Sequence, residues 1–283
     1  MNWLVAPEHA LPWVSHFPGA RIWSPPYLPL RVALRLAPRR IEARLALRRA
    51  LALIAARQIP EDATTVIAPS LCARPVFAEA KRRGLRTVLV QDLPCLRRLH
   101  LDLDRASAAH PGSKFLKNYR APASAIVEQE AEWVLADEVR VRGAYAAKIV
   151  SATGATVATG RPPDLEALAP KRPLKVQLAG IATPRHGIFE LLKAQEALGF
   201  ELIVRTGEGL EPYDLLHRKG VRTTGSPDVV VAPAWCEVHL PELHDAVARR
   251  IPVIATQQAS AWLGPAVTRV EAGDARALVR ALS

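Results

Sequence analysis

The stretch "DVVVAPAWCEVHLPELHDAVARRIPVIAT" runs from Asp228 to Thr256. Three consecutive valines lead into Ala, Pro and a polar turn. A run with helical spacing follows from Pro241, and then a second apolar run, "IPVIAT". Apolar runs this continuous, separated by a helix, are the pattern of parallel strands buried on both faces. In open parallel sheets, ligands lie beyond the carboxyl ends of the strands. Glu237 stands at that point, and Asp245 follows eight residues later in the helix. Pro241 suits the first helical turn and Glu242 its positive end. A helix start offers unpaired N–H groups to an anion such as a phosphate. The two carboxylates suit the hydroxyls of a sugar. The competing reading leaves Glu237 as a solvated loop residue and Asp245 on a polar helix face.

The same alternation extends along the chain. Before this stretch, "LKVQLAG", "GIFELLKAQEALG" and "FELIVRTGEG" read as strand, helix, and strand with its turn. "DARALVRAL" closes the series as a helix. In the first half, Asn2–Ala6, Thr64–Ser70, Arg86–Asp92 and "DEVRVRG" read as strands. Helices are expected from Leu30 to Gln58 with a break at Pro38, over "ARPVFAEAKRRG", from Cys95 to Ala109, from Pro122 to Leu135 and over "AYAAKIVSATG". Gly84 and the basic residues before it suit a helix C-terminus. "GARIWSPPYLPL" reads as a proline-rich connection. "GRPPDLEALAPKRP", with four prolines and little periodicity, marks a seam. The expected fold is α/β, two Rossmann-like doubly wound parallel-sheet domains, residues 1–158 and 159–283.

Composition narrows the function classes. The 283 residues are 49% hydrophobic and 23% charged, a globular balance. Cys72, Cys95 and Cys236 are few and scattered, which fits a reducing compartment and neither a disulfide framework nor a metal-binding spacing. The N-terminus lacks the basic and apolar regions of a signal peptide, and no apolar run reaches the length of a membrane span, so a cytoplasmic location is expected. The net charge of +11 points to nucleic acid, an anionic membrane surface or a polyphosphate-bearing substrate; an arginine-rich, GC-biased composition is the plain alternative.

The Asp228–Thr256 stretch resembles the donor-binding segment of family 4 glycosyltransferases, which have the GT-B fold. Their pattern is a strand, Pro-Ser-x-x-Glu, seven residues, Glu-Ala, then Gly-x-Pro-Val-Ile-Ala. This chain has "VVVAPAWCE", seven residues, "DA" and "RIPVIAT". "LAGIATPRHGIFELLKAQEAL", "ELIVRTGEG", "VEAGDARALVRAL" and "EAEWVLADEVRVRGAYAAKIV" resemble further segments of the family, from about Glu130 to the end. The resemblance implies a metal-independent, retaining transfer from a UDP- or GDP-linked sugar, with no cofactor. The first domain would serve the acceptor, lipid-linked or polysaccharide, and the second the nucleotide-sugar. It assigns Glu237 to the donor sugar and Asp245 to the ribose. It also assigns the loop Arg185, His186 and Gly187 to the diphosphate, where cations offset the leaving charge.

The chain departs from the family pattern at several positions. Gly180-Ile181 stands for Gly-Arg, and His186-Gly187 for Lys-Gly. Arg185 is the replacement cation, and His186 would be charged part of the time near neutral pH. Ala234 stands for Ser, Asp245 for Glu, and Val238 and Leu240 for glycines that admit close backbone approach. These departures keep open a second reading, a catalytically inactive relative that serves as a binding or partner subunit.

The family places a histidine of the first domain near the reacting sugar, and His100 is the candidate, with Asp104 on the same helical face. A histidine among leucines is otherwise structural. Gly207 in "RTGEG" and Gly225 in "GVRTTGSPD" are candidate donor contacts, against plain turns. In Leu30–Gln58 eight arginines interleave with apolar residues and only Glu42 opposes them. Segment 31–57 is a candidate for lying on an anionic membrane surface, against a core-packing helix with a solvated basic side. Nucleic acid is not expected, since no zinc finger, RRM or KH signature is present and aromatics are 5%.

Overall fold

The computed structural model describes residues 1–5, 17, 19–23, 41–91, 93–113, 116, 119–141, 144–159, 175–205, 219–238, 240–260 and 263–283. The Pro38 break, the 160–174 seam, Gly207 and residues 31–40 lie outside them.

The first sheet contains β1 (Asn2–Val5), β2 (Arg21–Trp23), β3 (Thr65–Pro69), β4 (Arg86–Gln91), β5 (Glu138–Val141) and β6 (Val157–Thr159), in the order β2-β1-β3-β4-β5-β6. Every pairing is parallel, with Trp3 opposite Val66, Ile67 opposite Val88 and Val90 opposite Arg140. The helices are α1 (Ile41–Arg57), α2 (Ala73–Arg82), α3 (Leu96–Ala109), α4 (Ala123–Leu135) and α5 (Ala144–Ser151). Val66, Ala68 and Leu89 of the sheet meet Ala52, Ala55, Val76, Phe77 and Trp133 of the helices in one core. Burial of such continuous apolar strands on both faces holds the layers together, at about 25 cal/mol per Å² of apolar surface removed from water.

The second sheet contains β7 (Lys175–Ile181), β8 (Glu201–Arg205), β9 (Val221–Arg222), β10 (Val229–Ala232), β11 (Val253–Thr256) and β12 (Thr268–Val270), in the order β12-β11-β10-β7-β8-β9. Its pairings are also parallel. The helices here are α6 (Ile188–Leu198), α7 (Pro241–Ala248), the single turn α8 (Gln257–Ser260) and α9 (Ala275–Leu282). α6 ends at Gly199 with φ +74°, and α9 begins at Asp274, whose carboxylate accepts the Ala277 N–H at 2.8 Å. Counted from β7, the strand order is the doubly wound 3-2-1-4-5-6 arrangement, whose order reverses between β7 and β10.

The expected α/β architecture of two doubly wound parallel sheets is therefore what forms. The strands that sequence reading missed are short edge strands, β2, β6, β9 and β12. β2 lies inside the stretch read as a proline-rich connection, and β9 opens the stretch read as the loop Gly220–Asp228. The chain divides into two compact units, Met1–Arg97 with Ala121–Gly160, and Arg98–Arg120 with Arg161–Ser283. Most of α3 thus counts with the second sheet. No helix among the described residues is long and apolar enough to cross a membrane.

Candidate functional site

The reversal point of the second sheet is built from the turns after β7 and β10. β7 ends in a bulge between Gln177 and Ile181, where Gly180 takes φ +82°. A turn over Pro184–His186 follows, then Gly187 with φ +79° at the start of α6. A Cβ on Gly187 would lie 2.2 Å from the Pro233 carbonyl oxygen, so only glycine lets the two turns touch. The Trp235 N–H donates to the Arg185 carbonyl at 3.1 Å and ties the turns together.

Arg185 lies at this junction, half-buried. Its Nε–H donates to Cys236 Sγ at 3.1 Å and Nη2 donates to the Glu237 carbonyl at 3.1 Å. Its guanidinium carbon stands 4.8 Å from the centre of the Tyr119 ring. A guanidinium has five N–H groups, so two bonds orient it and leave three to offer. Burial pushes the Cys236 thiol up in pKa, against the pull of Arg185, and the neighbouring Glu237 carboxylate raises it further. Burial also raises Tyr119, while its hydrogen bond with Thr183 and the charge of Arg185 act the other way.

His186 does not share the charge. Burial, with Arg185 beside it, lowers its pKa from 6.5 to about 4. It is a neutral ring near pH 7, with Nδ1 2.7 Å from Thr183 Oγ1, and the part-time cation expected from its residue type does not form. Leu240 and Val238 are buried, and a Cβ on Gly180 would meet Leu240 Cδ2 at 2.8 Å. Leu240 thus fills the space over Gly180.

Asp245 is exposed on α7 and pairs with Arg249 at 3.3 Å. It lines a cleft of about 310 Å³ with Gln177, Arg205, Glu242 and Arg249. Glu242, in the first turn of α7, pairs with Arg205 at the end of β8. Glu237 is not among the described residues that line this cleft; its backbone carbonyl is held by Arg185. Gly225 packs on β8, with its Cβ position 2.9 Å from Ile203 Cδ1.

The stretch Arg98–Arg120 supplies residues that sequence reading did not single out. His110 Nε2 lies 2.9 Å from Glu190 Oε1, and Glu190 is 3% exposed. The His110 ring stands 4.6 Å from Phe189 and 5.8 Å, edge-on, from Trp235. Glu190 Oε2 and Trp235 Nε1 are buried and make no hydrogen bond among the described residues. A buried acceptor and a buried donor are thus left without partners among the described residues, each at a cost to the fold. His100 is on the same helix, α3, as the run that leads to His110. Its pKa is lowered by burial and by Arg120, against Asp104, and Arg120 and Asp104 form an ion pair. Among the described residues, no group of three or more His, Cys, Asp or Glu is placed to hold a metal ion.

No family model and no curated protein matches the chain. Solved structures do. A trehalose-6-phosphate synthase, described as an enzyme of glycosyl transfer with retention, aligns with a TM-score of 0.57 at 11% identity, covering 99% of this chain and 90% of its own. A sucrose-phosphate synthase from Thermosynechococcus elongatus gives 0.55 at 15% identity, over 87% and 71%. A UDP-forming α,α-trehalose-phosphate synthase from Burkholderia vietnamiensis gives 0.52 at 12% identity, over 88% and 70%. The class that fold and site define is an α/β protein of two parallel-sheet units with the GT-B fold. At these identities the likeness shows the fold and no activity.

Proposed function

We propose that the protein is a GT-B glycosyltransferase that moves a sugar from a UDP- or GDP-linked donor, without a metal and with retention, to a lipid-linked or polysaccharide acceptor. The observation that carries this reading is Arg185. It stands at the reversal point of the second sheet, is oriented by Cys236, Glu237 and Tyr119, and keeps three N–H groups for an anion. A fixed cation stabilises charge as it builds on a leaving diphosphate, the task a metal performs elsewhere. Glu237 next to it accepts donor-sugar hydroxyls. Asp245, in the cleft with Arg205, suits the ribose. Glycosyl transfer by trehalose-6-phosphate and sucrose-phosphate synthases of this fold supports the reading. Peripheral attachment at a cytoplasmic membrane face through segment 31–57 belongs to it as well, and the exposed Arg49, Leu53, Ile54 and Arg57 support that part.

The test is release of UDP or GDP from a panel of nucleotide-sugars in buffer with EDTA. Turnover is expected from the wild type and none from Glu237→Ala, with an unchanged melting temperature. Equal turnover by that variant removes Glu237 from the chemistry. Leu240 over Gly180 and the uncharged His186 favour the second reading, a relative that binds the donor without turning it over; nucleotide binding with no release from any donor identifies it.

A further inference from the structure

The first unit has a cleft of its own, just past the carboxyl end of β3. About 260 Å³ is enclosed by Leu45 and Arg49 of α1, Leu71 and Cys72 after β3, and Ser124 and Glu128 of α4. The carboxyl edge of a parallel sheet is where ligands of such sheets bind. Leu71 is held there at φ +65°, a conformation that non-glycine residues adopt at a cost of about 1 kcal/mol. Its N–H is tied at 2.7 Å to the carboxylate of Glu132, which is wholly buried. The same carboxylate accepts the N–H groups of Ala73 at 2.6 Å and Arg74 at 3.3 Å. The protein has therefore filled the positive end of α2 with its own acid, and the cleft offers no phosphate cradle at that helix.

What it offers instead is apolar wall and one spare cation. Glu128 is engaged by Arg74 at 3.0 Å. Arg49 is exposed, and no carboxylate among the described residues pairs with it. Leu45, Arg49 and Leu53 form one row on α1 at four-residue spacing. Leu53 is 51% exposed and Ile54 48%, so the apolar surface continues past Arg49.

We propose that this cleft binds a soluble small molecule with an apolar body and a single anionic group, the body between α1 and α4 and the anion on Arg49. As an acceptor site the cleft rests on the transferase reading; as a binding site it stands without it. The probes are 2-naphthoate and its uncharged analogue 2-naphthol, titrated against the full chain by calorimetry or ligand-observed NMR. Naphthoate is expected to bind about threefold to fivefold more tightly than naphthol, the size of one solvent-exposed charge pair. Arg49→Gln should erase that preference. Ala46→Trp, which fills the mouth from an exposed position, should abolish both with no change in melting temperature. Binding of neither probe, binding that survives Ala46→Trp, a preference that survives Arg49→Gln, or capture by phosphatidylglycerol vesicles with no probe binding overturns the proposal. Titration with UDP and GDP separates the two ideas: naphthoate binding with no binding of either nucleotide keeps the cleft and removes the transferase.

Discussion

The two sheets meet the same problem at their carboxyl edges and solve it in opposite ways. After β3, the N–H groups at the start of α2 are taken by the buried Glu132 carboxylate. After β7, no side chain caps the start of α6; a glycine lets the chain pack on Pro233, with the Arg185 cation in the turn before it and the buried Glu190 in the helix's first turn. One edge has satisfied its own helix-start N–H groups with a buried acid, and the other places a half-buried guanidinium beside a glycine turn. On the two proposals made above, the diphosphate belongs to the second unit and a largely apolar molecule with one anionic group to the first.

The largest expected effect is at the edge that fills itself. Glu132→Ala leaves two buried N–H groups and one part-buried one without acceptors and opens a cavity, a loss of roughly 3 kcal/mol or more, read by urea unfolding. The pH dependence sharpens this. Burial, outweighing the three N–H donors, lifts the Glu132 pKa from 4.5 to about 8. Between those values the folded state holds a proton that the unfolded chain has released, so stability falls as pH rises through that window. Glu132→Gln should flatten that slope, and an unchanged slope would reassign it.

Next in size is Gly187→Ala. Its methyl would meet the Pro233 carbonyl, and φ +79° disfavours any side chain, so a loss of about 2 kcal/mol and of any nucleotide response is expected in thermal melts. Arg185→Ala should cost about tenfold to a hundredfold in nucleotide affinity while the fold stands. Arg185→Lys should not restore it, since lysine cannot hold Cys236 and Glu237 while still presenting donors.

Smaller effects come from His186 and Tyr119. His186 is neutral in the fold down to about pH 4, whereas an unfolded histidine charges near 6.5. Its contribution to stability is therefore present above pH 6.5 and lost as pH falls toward 4; His186→Gln should shrink that acid loss. Tyr119→Phe removes one hydrogen bond to Thr183 and should cost no more than about 1 kcal/mol. Tyr119→Ala, which also removes the ring under Arg185, should weaken nucleotide binding more than it weakens the fold.

The fold was legible wherever strands are buried on both faces. "VVVA" and "VLV" are continuous apolar runs, "KVQLAG" is a mostly apolar one, and each became a strand. β2, β6, β9 and β12 were not legible because two or three residues at an edge carry no period. In the second sheet, Glu237 and Arg185, singled out through a motif whose spacing survives substitution, lie together at the reversal point. His110 with Glu190, and Tyr119 with Thr183, were not found, because partners 80 and 64 positions apart leave no local trace. Glu132 was hidden for another reason. It sits in an ordinary helical run, and only the fold shows that its side chain turns inward to cap a different helix. Asp245 lies on a helix, as its spacing predicts, but its cleft is lined by Arg205 and Glu242, which no spacing linked to it.

The central claim is that the second unit's edge holds a nucleoside diphosphate on Arg185 without a metal. Isothermal titration of the wild-type protein with UDP and with GDP, in EDTA, tests it most directly. Saturable binding of one of them at a single site, weakened at least tenfold by Arg185→Ala, is the predicted result; no heat of binding from either nucleotide, or equal affinity in the variant, would contradict it.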